Sequence, residues 1–190
     1  TSSGYLTPIV LVNNSLRFRS SANAYLNRTF GTPTSNTTWT WSGWVKRGTL
    51  GAYQVLQCGD DGTSNNFLTL RFSDTDTLQC FQASGGSYNL QVSTSAVFRD
   101  PSAWYHIVFI YDSANATSTN RIQFYVNGVL QTVSYAVGPF TQNTASQLNV
   151  ASRPNAIGRL LYASVNYFDG YLADVNFIDG LALTPNSFGT

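Results

Sequence analysis

The sequence predicts an all-β fold, an antiparallel two-sheet β-sandwich of about a dozen strands. Three observations predict it. Apolar residues recur with a period of two along most of the chain. Gly, Asn and Ser turn residues are spread evenly instead of pooled into a linker. Helix signals are confined to the last few residues. Residues 16–190 are read as one sandwich domain and residues 1–15 as an N-terminal extension or extra edge strand.

Taken in order, Ile9-Val10-Leu11-Val12 forms an apolar run inside that extension, fit to anchor the chain or to cover an outer face near Trp44. From Thr38 to Lys46, Trp39 and Trp41 share one face while Trp44 has the opposite parity, so this strand presents aromatic surface both ways. Leu68, Leu70 and Phe72 alternate with Thr69 and Arg71, the pattern of a half-buried strand. A turn at Ser73-Asp74-Thr75-Asp76 leads to a strand from Thr77 to Gln82, and another runs from Tyr88 to Ser93. The stretch from Trp104 to Tyr111 is apolar on both faces and is predicted to lie mid-sheet. A sandwich has an outer side, so a loop, the N-terminal segment or a partner must cover it.

Ile122, Phe124 and Val126 alternate with polar neighbours, and Asn127-Gly128 then supplies the two positive-φ residues of a type I′ hairpin turn before Val129-Leu130. At the C-terminus, Thr184-Pro185 pairs an N-cap with proline at the first helical position, enough for one short turn. Cys58 and Cys80 fall on the first and third strands of a meander, about 9 to 10 Å apart, which is too far for a disulfide. Two free, buried thiols are expected.

Composition narrows the function. Only 10% of residues are charged, where about 25% is usual, and net charge is +1. All nine acids are aspartate, Lys46 is the single lysine and His106 the single histidine, while Ser, Thr, Asn and Gln make up 68 of 190 residues. So few cations cannot supply the phosphate contacts that hold proteins on nucleic acid. The longest apolar stretches fall far short of the roughly 20 residues of a bilayer span. Neither nucleic acid nor membrane is expected as a partner. A surface of hydroxyls, amides and rings predicts binding that varies little with salt.

Three segments together resemble a known family. Trp39-Thr40-Trp41-Ser42-Gly43-Trp44-Val45-Lys46, Trp104-Tyr105-His106-Ile107-Val108 with Tyr125-Val126-Asn127-Gly128, and Phe168-Asp169-Gly170-Tyr171-Leu172-Ala173-Asp174-Val175 occur in the order and spacing of the laminin-G-like, concanavalin A-like jelly rolls. The resemblance spans roughly Leu16 to Gly189. Leu16-Arg17-Phe18-Arg19-Ser20-Ser21, Ala24-Tyr25-Leu26-Asn27-Arg28-Thr29 and the segment Asn176 to Pro185 are similar to a version found in bacteriophage and prophage structural proteins. The resemblance implies a concanavalin A-like jelly roll and a setting on a virion surface. Because such jelly rolls host lectins, glucanases, adhesion modules and virion proteins, function must be argued from the site.

The fold's glucanases use a strand bearing two glutamates, and this chain has none. The aspartate pairs left are Asp74/Asp76, in a turn where aspartate caps backbone, and Asp169/Asp174, of opposite strand parity. A nucleophilic triad must use His106, which sits mid-strand and reads as a core histidine. Calcium is a candidate cofactor, since Asp60, Asp61 and Asn65 form the densest cluster of hard oxygen donors, although turn capping accounts for them equally. Glycan binding needs an aromatic platform with amides or hydroxyls nearby. The candidates are Tyr88 and Asn89 after Gly85-Gly86, Tyr135 and Phe140 before Leu148, and Tyr162 and Tyr167.

The expectation is a non-catalytic virion-surface protein with a lectin-like domain, which binds a host-surface glycan or receptor and contacts other virion proteins and symmetry-related copies. The alternative is a capsid decoration or cement protein. A glycoside hydrolase is the remote third reading.

Overall fold

A computed structural model describes residues 13–189 and shows two antiparallel sheets packed as a sandwich. The strands are β1 (Leu16–Phe18), β2 (Leu26–Thr29), β3 (Thr38–Arg47), β4 (Gln54–Asp60), β5 (Phe67–Phe72), β6 (Thr77–Ser84) and β7 (Ser87–Val97). They continue with β8 (Tyr105–Asp112), β9 (Ile122–Val126), β10 (Val129–Leu130), β11 (Val133–Val137), β12 (Pro154–Ile157) and β13 (Gly170–Asp179). One sheet has six strands in the order β1-β13-β3-β8-β9-β10; the other has seven, β11-β7-β6-β5-β4-β12-β2. The expected all-β sandwich is therefore present. The apolar run Ile9 to Val12 lies outside the described residues.

Between the sheets lies a core to which β3 and β8 each give one face of their alternation. Trp39, Trp41 and Val45 face Leu70, Phe72, Leu78 and Cys80 across the interior, and β8 adds Ile107, Phe109 and Tyr111 from mid-sheet. Trp39 stacks on Tyr111 with centroids 5.4 Å apart and planes 7° from parallel. Asn127 (φ 49°) and Gly128 (φ 79°) form the expected turn between β9 and β10. The Asn127 Oδ1 also accepts the His106 N–H at 2.8 Å, tying the turn to β8. The C-terminal turn forms as one short 3-10 element, Pro185–Phe188.

Both outer faces are partly clad. On β5, Thr69 is fully buried where the sequence predicts a solvent-facing position. The cause is the loop at 158–169, whose Leu160, Leu161 and Tyr162 pack with Val55 and Cys58 in a second apolar cluster outside the seven-stranded sheet. On the six-stranded sheet, the C-terminal segment covers part of the outside. Thr40 Oγ1 donates to the Leu181 carbonyl at 2.7 Å, and Phe188 lies 6.3 Å from the His106 ring.

The two cysteines are free and buried. They do occupy the first and third strands of the β4-β5-β6 meander, yet they also face opposite sides of it. Cys58 belongs to the outer cluster and Cys80 to the central core.

The turn aspartates need a correction. Asp74 is exposed, but Asp76 is buried, and its carboxylate accepts Arg47 Nη2 at 2.9 Å, Arg99 Nε at 2.9 Å and the Gly51 N–H at 2.8 Å. It is an ion-pair anchor, a role that its place in a polar turn concealed.

Candidate functional site

Outside the seven-stranded sheet, beside the loop cluster, lies a face rich in rings. Strand β5 points Phe67, Thr69 and Arg71 outward because Leu68, Leu70 and Phe72 face the core. Gln79 and Phe81 on β6 stand directly opposite Arg71 and Thr69. The Arg71 Nε and Nη2 both donate to Gln79 Oε1, at 2.8 and 2.5 Å, and Gln79 Nε2 donates to Ser93 Oγ on β7 at 3.0 Å. These bonds fix both the amide and the guanidinium.

Rings frame the cation. Arg71 lies 4.4 Å from the Tyr53 centroid and 5.0 Å from that of Phe81, within cation–π range. Phe81 contacts Tyr88 at 4.7 Å and Phe67 at 5.3 Å, and Phe67 contacts Tyr162 at 5.1 Å. Tyr88 is 61% exposed and Tyr53 38%. Burial pulls the Arg71 guanidinium below its ordinary pKa, an effect that the fields of Tyr53 and Tyr162 oppose. Burial and a hydrogen bond to Asp74 raise that of Tyr53.

Tyr88 reaches this face because of a register shift. Gln82 pairs with Leu90 but Ala83 pairs with Tyr88, leaving Asn89 as the extra residue of a bulge. Tyr88 therefore packs on Phe81, while Asn89 turns toward Gln82, whose Nε2 donates to its Oδ1 at 3.2 Å. Tyr162 is held by its loop, its N–H donating to Asp60 Oδ2 at 2.7 Å.

Of the six predicted glycan contacts, the structure thus brings together Tyr88 and Tyr162. Asn89 is committed to Gln82. Phe140 is a correction: it is 7% exposed and packs in the core 5.2 Å from Tyr111. Tyr135 is half-buried against the same core, with its hydroxyl enclosed and unpaired. Tyr167 is half-buried and joins no ring contact among the described residues. Tyr53, Phe67, Arg71, Gln79 and Phe81 were missed. Parity offered one clue, because Phe81 is an aromatic on the face opposite Leu78 and Cys80.

The predicted calcium donors are knit into their own turn. Asp60 is buried and accepts from the Gly62 N–H, the Tyr162 N–H and the Cys58 thiol. Asp61 accepts from the Thr63 N–H and hydroxyl and from Asn66 Nδ2. The backbone carbonyl of Asn65 accepts the Gly86 N–H. No group of three His, Cys or Asp side chains suited to a metal occurs among the described residues. These are hydrogen bonds of turn capping.

Two other sites stand apart. Ser42 Oγ lies 3.0 Å from His106 Nε2, but both residues are buried, and Trp44 covers the ring at 4.9 Å. Burial holds the imidazole below its ordinary pKa, which suits a neutral core histidine. Along one open side of the sandwich, a cleft of about 470 Å³ runs between β2-β12 and β13, lined by Arg28, Phe30, Gln57, Asn155, Ile157 and Phe177.

The two antiparallel sheets, packed face to face around one core, define a jelly-roll sandwich. A family model for the concanavalin A-like lectin/glucanases superfamily matches residues 18–187, and the chain belongs to that superfamily. Solved structures agree on the fold. A heptameric SAP-like pentraxin from Limulus polyphemus superposes with a TM-score of 0.58 at 18% identity, over 93% of this chain and 80% of that one. The CBM40 of Ruminococcus gnavus IT-sialidase, bound to α2,3 sialyllactose, gives 0.60 at 13% identity, over 88% and 96%. Domains LG4-5 of the mouse laminin α1 chain give 0.62 at 13%, over 90% and 46%. No curated protein sequence matches the chain.

Proposed function

We propose that this protein is a non-catalytic glycan-binding module and that the outer face of its seven-stranded sheet is the binding surface. The observation that carries this reading is Tyr88, 61% exposed and backed by Phe81, beside Tyr53 and the Arg71–Gln79 pair. An exposed ring takes the apolar face of a sugar, while a guanidinium and neighbouring hydroxyls take its oxygens. The lectin-like family and the sialidase module solved with sialyllactose support the reading.

Hydrolysis finds little support. Two catalytic carboxyls must face one bond about 5 to 9.5 Å apart with matched protonation. Asp76 is locked between two arginines, and Asp169 is tied to Arg17 at 3.0 Å and to Thr49. The virion-surface setting rests on the terminal sequence motifs, and immunogold labelling of particles with an antibody to this chain tests it.

A glycan array probed with the full chain, with and without a chelator, tests the binding. Retention of a defined glycan subset, lost in Tyr88→Ala, is expected. Absence of binding to every glycan, or equal binding by Tyr88→Ala, overturns the reading.

A further inference from the structure

We infer that the sugar recognised by this face carries a carboxylate and that the Arg71 guanidinium is the group that selects it; this rests on the glycan-binding reading above. The argument begins with hydrogen-bond geometry. A guanidinium has five N–H donors in a fixed plane. The Nε hydrogen and one Nη2 hydrogen converge on Gln79 Oε1. What is left is the opposite edge, with two hydrogens on Nη1 and one on Nη2. That edge offers two parallel donors, the spacing that matches the two oxygens of a carboxylate.

Among the described residues the Nη1 hydrogens meet no acceptor, and the atom is not fully enclosed. By contrast, the Nε atoms of Arg47 and Arg159 are enclosed and unpaired. Arg71 also forms no ion pair within 4 Å among the described residues, whereas Arg17, Arg47 and Arg99 each hold an aspartate. Asp74, the aspartate whose field acts on it, does so from beyond ion-pair distance.

Charge and ring positions complete the case. The Arg71 cation is flanked by Tyr53 and Phe81, and the Tyr88 ring packs tilted against Phe81 at 4.7 Å. Partial burial strengthens a charged hydrogen bond there, because the rings displace water from one side. Phe81 touches both Arg71 and Tyr88, so a carboxylated sugar with its apolar face on Tyr88 lies within reach of the guanidinium. A sulfate ester is anionic too and fits the same fork, but its charge is spread over three weakly basic oxygens, so each accepts a hydrogen bond less strongly than a carboxylate oxygen does.

Titration calorimetry on the full chain tests this, using four forms of one oligosaccharide: the free acid, its methyl ester, the neutral parent and a sulfated parent. The free acid is expected to bind about tenfold tighter than the ester or the neutral parent, and tighter than the sulfated form. Arg71→Gln should bring acid and ester to equal affinity, while Tyr88→Ala should weaken both together. Gln79→Met, which frees the guanidinium, should also shrink the ratio, and it keeps the test valid if Arg71→Gln fails to fold. Equal binding of acid and ester by the native chain overturns the assignment but leaves glycan binding intact. Tighter binding of the sulfated form overturns the carboxylate. No binding of any form overturns both readings.

Discussion

The Asp76 carboxylate sits 2.9 Å from the Arg47 guanidinium, joining the turn between β5 and β6 to the last residue of β3 in the opposite sheet. The Arg47 side chain is fully enclosed, lies 4.2 Å over the Phe72 ring and also donates to the Phe98 carbonyl. Burial pulls the Arg47 pKa down despite its partner. At Asp76, burial pushes upward but is outweighed by the Gly51 N–H and the two arginines, so its pKa falls. Removing one partner leaves a buried charge, a change that costs about 3–5 kcal/mol. Asp76→Asn should lose that much in urea denaturation, since asparagine tolerates the positive φ of 66° and isolates the charge effect. A loss below about 1 kcal/mol would contradict this account.

Acid should destabilise the protein in two stages. His106 has a folded pKa below its ordinary value of 6.5 because of burial. The unfolded chain then binds the extra proton, so stability falls as pH drops below about 6.5, at up to about 1.4 kcal/mol per pH unit. Asp76 and Asp179 have depressed folded values, so their contribution is complete above the ordinary carboxylate range and lost as pH falls through the folded values. Denaturation midpoints between pH 8 and 3 should show both stages, and His106→Gln should abolish only the first.

Tyr88 and Phe140 should separate binding from folding. Tyr88→Ala removes an exposed ring, so stability should change by less than about 1 kcal/mol while glycan affinity drops about tenfold. Phe140→Ala removes a core ring and should cost about 3–5 kcal/mol, with affinity unchanged in the folded fraction. Paired denaturation and calorimetry measure both, and the reverse pattern would discard the assignment of the face.

The thiols should be silent until the chain unfolds. Burial drives the pKa values of Cys58 and Cys80 far up, and the two residues lie on opposite sides of one sheet. Ellman's reagent should react with neither under native conditions and with both in denaturant, and reductants should leave the midpoint unchanged. Fast native labelling would contradict the packing.

Alternation made the core readable where one residue decides one face. Parity put Trp39 and Trp41 on one face and Phe109 with Tyr111 on one face, both of which are core, and Asn127-Gly128 announced its turn through the demand for positive φ. Thr69 misled because parity says which face a side chain takes, not whether a distant loop covers that face. The proposed binding face was half legible for a related reason. Tyr88 and Tyr162 stood out beside turns, but the bulge at Asn89 and the pairing of Arg71 with Gln79 are cross-strand facts with no local signature. Phe140 looked like a loop aromatic because its segment lacks period, yet the loop folds inward over Tyr111.

Arg71 is already still before any ligand arrives. Tyr53 and Phe81 hold the plane of its guanidinium and Gln79 fixes the rotation within that plane. An arginine side chain carries about 2 kcal/mol of rotamer entropy, and here most of it is surrendered during folding instead of at contact. Phe81 can therefore govern affinity without touching a ligand. Its truncation to alanine would let the guanidinium wander, slowing capture and hastening release alike, while the exposed surface of Tyr53 stayed in place.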